Sequence, residues 1–340
     1  IATVTGSGSQ WTNSNNLVVG YSGSGTLNVE EGGVVANTYG YIGYSSGSTG
    51  IATVTGSGSQ WNNSGDLSVG IEGSGTLSVA DDGLVTVGGT TSIGATGTVN
   101  LTGGRFEFGQ TTLAEFNTIN ATGGALAGNV PHAGYTDVST LTTLQNGAVD
   151  LTDVTLTNSG VLYGDASFGN ALVNTEDGEV EVVTGERMRF GGSGNTNAGE
   201  INNFGGVLRF DQNLSNNSDG EINNFGGSLV VSGTANNASS GLIGGRGQFV
   251  ADGGWNNSGV MFFTGTTDVL GDVVNEAGGQ IVTSGFTTTT FYDDLVHNGA
   301  EIRTSAGSAT VIGGGATGAG AYTGTGTVYF EVDLRPGNSP

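Results

Sequence analysis

One feature limits what this chain can fold into more than any other: it repeats itself. Residues 1–20 read IATVTGSGSQWTNSNNLVVG and residues 51–70 read IATVTGSGSQWNNSGDLSVG, with four differences, at Thr12/Asn62, Asn15/Gly65, Asn16/Asp66 and Val18/Ser68. GSGTLNV at 23–29 returns as GSGTLSV at 73–79, so the period is 50 residues. Each unit divides again. GTLNV at 25–29, GIATV at 50–54 and GTLSV at 75–79 share one shape, a glycine followed by alternation. A second repeat occupies the C-terminal half. GEINNFGGVLRFDQNLSNNSD at 199–219 is followed by GEINNFGGSLVVSGTANNASS at 220–240, with the first eight positions identical at a period of 21. Gly259, Gly279 and Gly299 continue at a spacing of 20. Fixed periods of this length mark one small structural unit stacked on copies of itself.

The unit is built from strands. Glycine supplies 67 of the 340 residues, proline 3 and cysteine none. Interior glycine costs a helix about 1 kcal/mol relative to alanine, so this composition opposes helix. Collagen is excluded because the every-third-residue glycine is missing. What remains is Val, Thr, Ile, Leu and Phe in short runs between Gly, Asn, Ser and Asp, which is strand and turn vocabulary. A strand alternates its side chains in and out, so GEINNFGG points Ile201 one way and Glu200 the other. One such coil cannot bury its apolar face. Stacking coils at ~4.8 Å places Ile on Ile and pairs each backbone group with the coil above and below. Asn suits such a stack, since its amide donates on one side and accepts on the other.

The predicted fold is therefore all-β: a parallel β-helix, or β-solenoid, with coils of about 20–25 residues and roughly 15 coils in all. A β-propeller blade would fit the 50-residue period but not the 21-residue one. Three regions are expected. Residues 1–98 carry tandem 50-residue repeats of two coils each. Residues 99–198 form less regular coils, with Thr111–Phe116 capable of a short helical turn. Residues 199–340 carry 20–21-residue coils and end in a PGNSP element.

The residues also carry a family resemblance. L-x-V-G at Leu17–Gly20, G-S-G-T-L-x-V at Gly23–Val29, G-G-x-V at Gly32–Val35, Y-I-G-Y at Tyr41–Tyr44 and G-S-x-W at Gly58–Trp61 resemble the autotransporter- and PEP-CTERM-associated repeat of bacterial exported proteins. LRPGNSP at 334–340 is similar to an element found near the end of such passenger regions. The resemblance implies a right-handed parallel β-helix displayed outside the cell, and no defined activity. The chain begins inside a repeat, at Ile1, and is expected to be a segment of a longer precursor.

Charge and motifs narrow the function. The formal net charge is −23, and all seven basic residues are Arg. Nucleic-acid binding needs a basic footprint and is excluded. No apolar stretch approaches the length of a transmembrane segment. Polysaccharide-cleaving β-helices use clustered carboxylates, so acidic runs were the candidates. Asp150 and Asp153 straddle Leu-Thr. Glu176, Asp177, Glu179 and Glu181 form the densest run, near Arg187 and Arg189, with alternation placing Asp177, Glu179 and Glu181 opposite Val180 and Val182. Such oxygens suit calcium or a glycosidase pair. An exposed acidic face over a valine interior is the preferred reading, so no catalytic, cofactor or metal residue is assigned, and calcium is the one cofactor the composition admits. Asp81-Asp82, Glu30-Glu31 and Asp293-Asp294 read as solvated turns. His132 and His297 fall in different coils, and G-x-S-x-G at Gly43–Gly47 has no helix to follow it. Trp11, Trp61 and Trp255 precede Asn-rich turns and read as corner packing rather than a sugar platform. N-glycosylation patterns occur at Asn62, Asn100, Asn120, Asn213, Asn216, Asn237 and Asn256.

The expectation is a non-catalytic extracellular or cell-surface protein, structural or adhesive. Its expected partners are further copies joined end to end into filaments, or a surface polysaccharide. The alternative is a carbohydrate-active β-helix enzyme.

Overall fold

The computed structural model describes residues 1–109, 119–128, 144–152, 154–332 and 334–336. Among these the regular elements are all strands, and their ladders run parallel, in a solenoid of about 15 turns. Thr111–Phe116, His132, Asp153 and the end of the PGNSP element lie outside the described residues. The chain forms two compact units, 1–154 with 165–170, and 155–164 with 171–340.

In the first unit a coil contributes three short strands, one to each of three faces. Ala2–Thr5, Ser24–Glu30, Thr49–Thr55, Ser74–Ala80 and Gly97–Thr102 stack on the first face. Gln10–Thr12, Val34–Asn37, Gln60–Asn63 and Leu84–Val87 stack on the second. Asn16–Val19, Tyr39–Ile42, Leu67–Val69 and Thr91–Ile93 form a four-stranded sheet on the third. Gly25, Gly50 and Gly75 lie directly opposite one another, so the sub-repeat read from the sequence is the physical register. On the second face Gln10 pairs Val34 and Val34 pairs Gln60, steps of 24 and 26. Successive coils place their turn residues differently, which is why near-identity returns only after two coils. The next steps are shorter: Gly75 pairs Gly97, and Val99 pairs Ile119.

The interior of this unit is apolar. Leu27, Ala52, Leu77 and Val99 make one column, and Val35, Trp61, Val85 and Phe106 another, all at most 1% exposed. Each large side chain so buried contributes about 1.5–3 kcal/mol. The glycine column makes the corner. A Cβ on Gly50 would lie 2.2 Å from the Val19 carbonyl oxygen and 2.4 Å from the Gly43 nitrogen, so no side chain fits there.

In the second unit the two GEINNFGG copies fall in register: Glu200 on Glu221, Ile201 on Ile222, Asn202 on Asn223, Asn203 on Asn224. Val180, Ile201, Ile222, Ile243, Met261, Ile281 and Ile302 form one continuous inward column. The third face is a ten-stranded sheet. Seven of its strands end on an inward Asn. Asn158, Asn174, Asn197, Asn216, Asn237, Asn257 and Asn275 are each at most 3% exposed. From Asn158 to Asn257 each Nδ2 donates to the Oδ1 of the next Asn at 2.8–2.9 Å. The second amide hydrogen serves main-chain carbonyls, as from Asn216 to Gly220 and Leu242. A buried amide left unpaired costs about 1–3 kcal/mol, so the ladder is viable only because it is continuous.

His297 ends the ladder. Asn275 Nδ2 lies 3.3 Å from its Nδ1, and its Nε2 lies 3.2 Å from the Ala321 carbonyl. Nδ1 accepts and Nε2–H donates, so the ring is neutral. Burial lowers the imidazole pKa, and the Ala321 carbonyl partly counters this.

Candidate binding face

The acidic run singled out in the sequence lies on the first face of the second unit. Its strand is Glu179–Val183, with Val180 and Val182 fully buried and Glu179 and Glu181 pointing outward, as alternation requires. Asp177 differs from expectation: together with Glu176 it sits in the turn before the strand, because the strand begins only at Glu179. Above it stack Glu200–Phe204 and the first half of Glu221–Val231.

Three outward columns result. Glu179, Glu200 and Glu221 are directly opposite one another. Glu181, Asn202 and Asn223 form the middle column. Val183, Phe204 and Phe225 form the third, and Arg246 sits opposite Phe225 at its end. The middle column is the low one, since Asn202 is 7% exposed while Glu200 and Phe204 are exposed. Asn202 Nδ2 donates to Glu179 Oε1 at 2.9 Å and Glu200 Oε2 at 3.2 Å, and Asn223 Nδ2 donates to Asn202 Oδ1 at 3.1 Å. Phe204 and Phe225 stack, with ring centroids 5.2 Å apart and an interplanar angle of 10°. The surface is a shallow trough with a carboxylate wall, an amide floor and an aromatic wall.

The electrostatics of the trough are unbalanced. Partial burial raises the Glu181 pKa, and the Glu179 charge, a hydrogen bond with Glu179 and the Glu186 charge raise it further. Arg187 and Arg189 do not answer these charges, since their strand, Arg187–Phe190, belongs to the second face. Arg189 pairs instead with Asp211, which Arg209 also contacts at 2.7 Å. Burial pushes the Asp211 carboxyl up, but the two arginines outweigh it and leave the pKa below its usual value. Among the described residues no ion pair reaches Glu179, Glu181, Glu200 or Glu221, and no group of three His, Cys, Asp or Glu is placed to hold a metal.

The remaining candidates disperse. Asp150 is exposed at the end of a first-unit strand. Gly43–Gly47 is a turn. Trp61 is fully buried and donates from Nε1 to Asn37 Oδ1 at 2.6 Å. Trp255 is 1% exposed on a third-face strand and donates to the Leu270 carbonyl. Both are interior residues, while Trp11 is 37% exposed on the second face. Of the glycosylation patterns, Asn216 and Asn237 belong to the buried ladder, so their amides are out of reach of an enzyme acting on the folded chain. Asn62, Asn100, Asn120, Asn213 and Asn256 stay outside the core. Phe204 and Phe225 were not singled out from the sequence. The signal was present, because counting alternation from Glu200 puts Phe204 on the Glu side.

Compared with known proteins, the chain matches no family model and no curated protein. Among solved structures it is similar to a fragment of TibA hyper-glycosylated by TibC. The identity is 16%, with 99% of each chain covered and a TM-score of 0.19. A superposition that loose carries no argument.

Proposed function

We propose that this chain is an extracellular structural or adhesive solenoid, displayed at a bacterial cell surface or released from it, and acting by presenting its sides rather than by catalysis. The observation that carries this reading is the coil-on-coil bonding of the described residues, in parallel register from strand to strand. Interior columns and amide ladders use the inward residues for holding coils together, which leaves the outward residues free to vary. The absence of cysteine, the acidic surface and the exported-repeat motifs at 1–98 support it. Antibody labelling of intact cells of the source bacterium tests it. Labelling is expected without permeabilisation, and labelling confined to permeabilised cells overturns it.

End-to-end association into filaments is part of this proposal, because a coil edge pairs with any edge of the same register. Filaments lengthening with concentration are expected by negative-stain imaging. A single particle size at all concentrations removes this part. Polysaccharide turnover that disappears in Glu179→Gln would overturn the non-catalytic reading.

A further inference from the structure

The exposed phenylalanines of the second unit need an explanation. Phe204 and Phe225 are 42% and 41% exposed, and Val183, next in the column, is 43% exposed. Coils of the same unit lie on both sides of them, so the exposure is not an end effect. A large apolar ring contributes more to stability inside than outside, and the same strand spends an interior position on Asn203. The rings form an ordered ridge beside a wall of three in-register carboxylates, which no ion pair reaches among the described residues. Like charges directly opposite on neighbouring strands are destabilising.

We infer that this trough binds an extended cationic peptide in which basic residues alternate with apolar ones. Successive side chains of an extended segment point to opposite sides. Laid along the trough, its basic residues meet Glu179, Glu200 and Glu221 while its apolar residues meet Val183, Phe204 and Phe225. Glu200 and Phe204 are four residues apart, ~13 Å at strand rise, which is room for one such segment. Charge decides the occupant. A second copy of this chain would bring carboxylate walls together, and an acidic polymer is repelled by a net charge of −23. Arg246 repels basic residues at the far end, which confines the partner to the coils carrying the Glu column.

The test measures binding of a fluorescent Lys-Leu alternating peptide by anisotropy. Lys-Ser and Glu-Leu peptides and a neutral gluco-oligosaccharide are run beside it. Two variants are compared, Phe204→Ser/Phe225→Ser and Glu179→Gln/Glu200→Gln/Glu221→Gln, each with unchanged circular dichroism required of these outward positions. The Lys-Leu peptide is expected to bind, more weakly in salt, and each variant is expected to lose roughly tenfold or more in affinity. General attraction to an acidic protein would leave the phenylalanine variant and the Lys-Ser peptide as strong as the wild type with Lys-Leu, and that result overturns the inference. So does binding of the oligosaccharide that is lost in the phenylalanine variant, which would make the ridge a saccharide platform.

Discussion

The two units turn the same corner with different chemistry. At the end of each third-face strand the first unit places Val19, Ile42, Val69 or Ile93, followed by a glycine. Seven of the ten strands of the second unit's third face place Asn at their end. In the first, Gly20, Gly43 and Gly70 hold positive φ and approach the next coil so closely that a Cβ would meet backbone at 2.2–2.4 Å. In the second, side-chain amides bind the corner carbonyls. At a different corner, the end of its second-face strands, the first unit has a fragment of a buried ladder, Asn37 to Asn63 at 2.6 Å, and Asn63 Nδ2 has no partner there. The register then passes from Asn63 to Val87, which cannot continue it. Buried main-chain groups at a corner must be satisfied. Close backbone approach and a side-chain ladder are two solutions, the one intolerant of any added atom and the other of any lost one.

Four measurements test that contrast, in order of expected size. The largest effect is expected from Asn216→Ala. It removes the acceptor of Asn197 and the donor to Gly220, Asn237 and Leu242 together, a loss of about 4 kcal/mol. Because stacked repeats need not unfold as one, hydrogen exchange should show the loss concentrated in the coils around Asn197 and Asn237. Next comes Gly50→Ala, which forces a methyl into the Val19 carbonyl and should cost about 2–3 kcal/mol in the first unit. Exchange rates in the second unit that rise equally would refute the separation of the two devices.

The third effect is pH dependence from His297. Its pKa is lowered in the folded state, so above pH ~6.5 both states are neutral and stability is full. As pH falls below that value the unfolded state takes up the proton first, and stability declines until the folded-state pKa is passed. The second unit should therefore lose denaturant resistance between pH 7 and 5. His297→Asn, which continues the ladder, should flatten that profile by reducing its His contribution to nothing. The smallest effect is expected from Asn256→Ala. Its amide donates to Asn236 at 2.9 Å on the exposed side, and losing that bond should change stability by less than about 0.5 kcal/mol.

Much of this architecture was readable beforehand, and the reason is physical. Where two coils have the same length, sequence identity and spatial register coincide, so Gly25, Gly50 and Gly75, or Ile201 and Ile222, could be stacked on paper. Reading failed where a residue type serves two purposes. Asn216 and Asn256 both sit in N-x-S patterns, yet one is buried and the other outside, a difference set by its place in the strand rather than by composition. Trp61 and Trp255 precede similar Asn-Asn-Ser sequences but occupy different faces, because the coil around each is divided differently. The binding trough depends on which outward columns become neighbours. Glu179 keeps the 21-residue step to Glu200, but GEVEVVTG at 178–185 shares little more than its Gly-Glu start with GEINNFGG, so the register did not show as a repeat.

The amide ladder has a consequence for how such a protein changes over generations. Every Asn coil offers an acceptor to the coil before it and a donor to the coil after it. Any one of these coils can therefore follow any other, and a whole coil can be gained or lost with no new chemistry at the joint. A single-residue insertion has no such licence, since it turns the amide out of the core. Duplication of 21-residue blocks, visible in GEINNFGG at 199 and 220, is then the easiest step available, and length becomes the trait selection can adjust most freely.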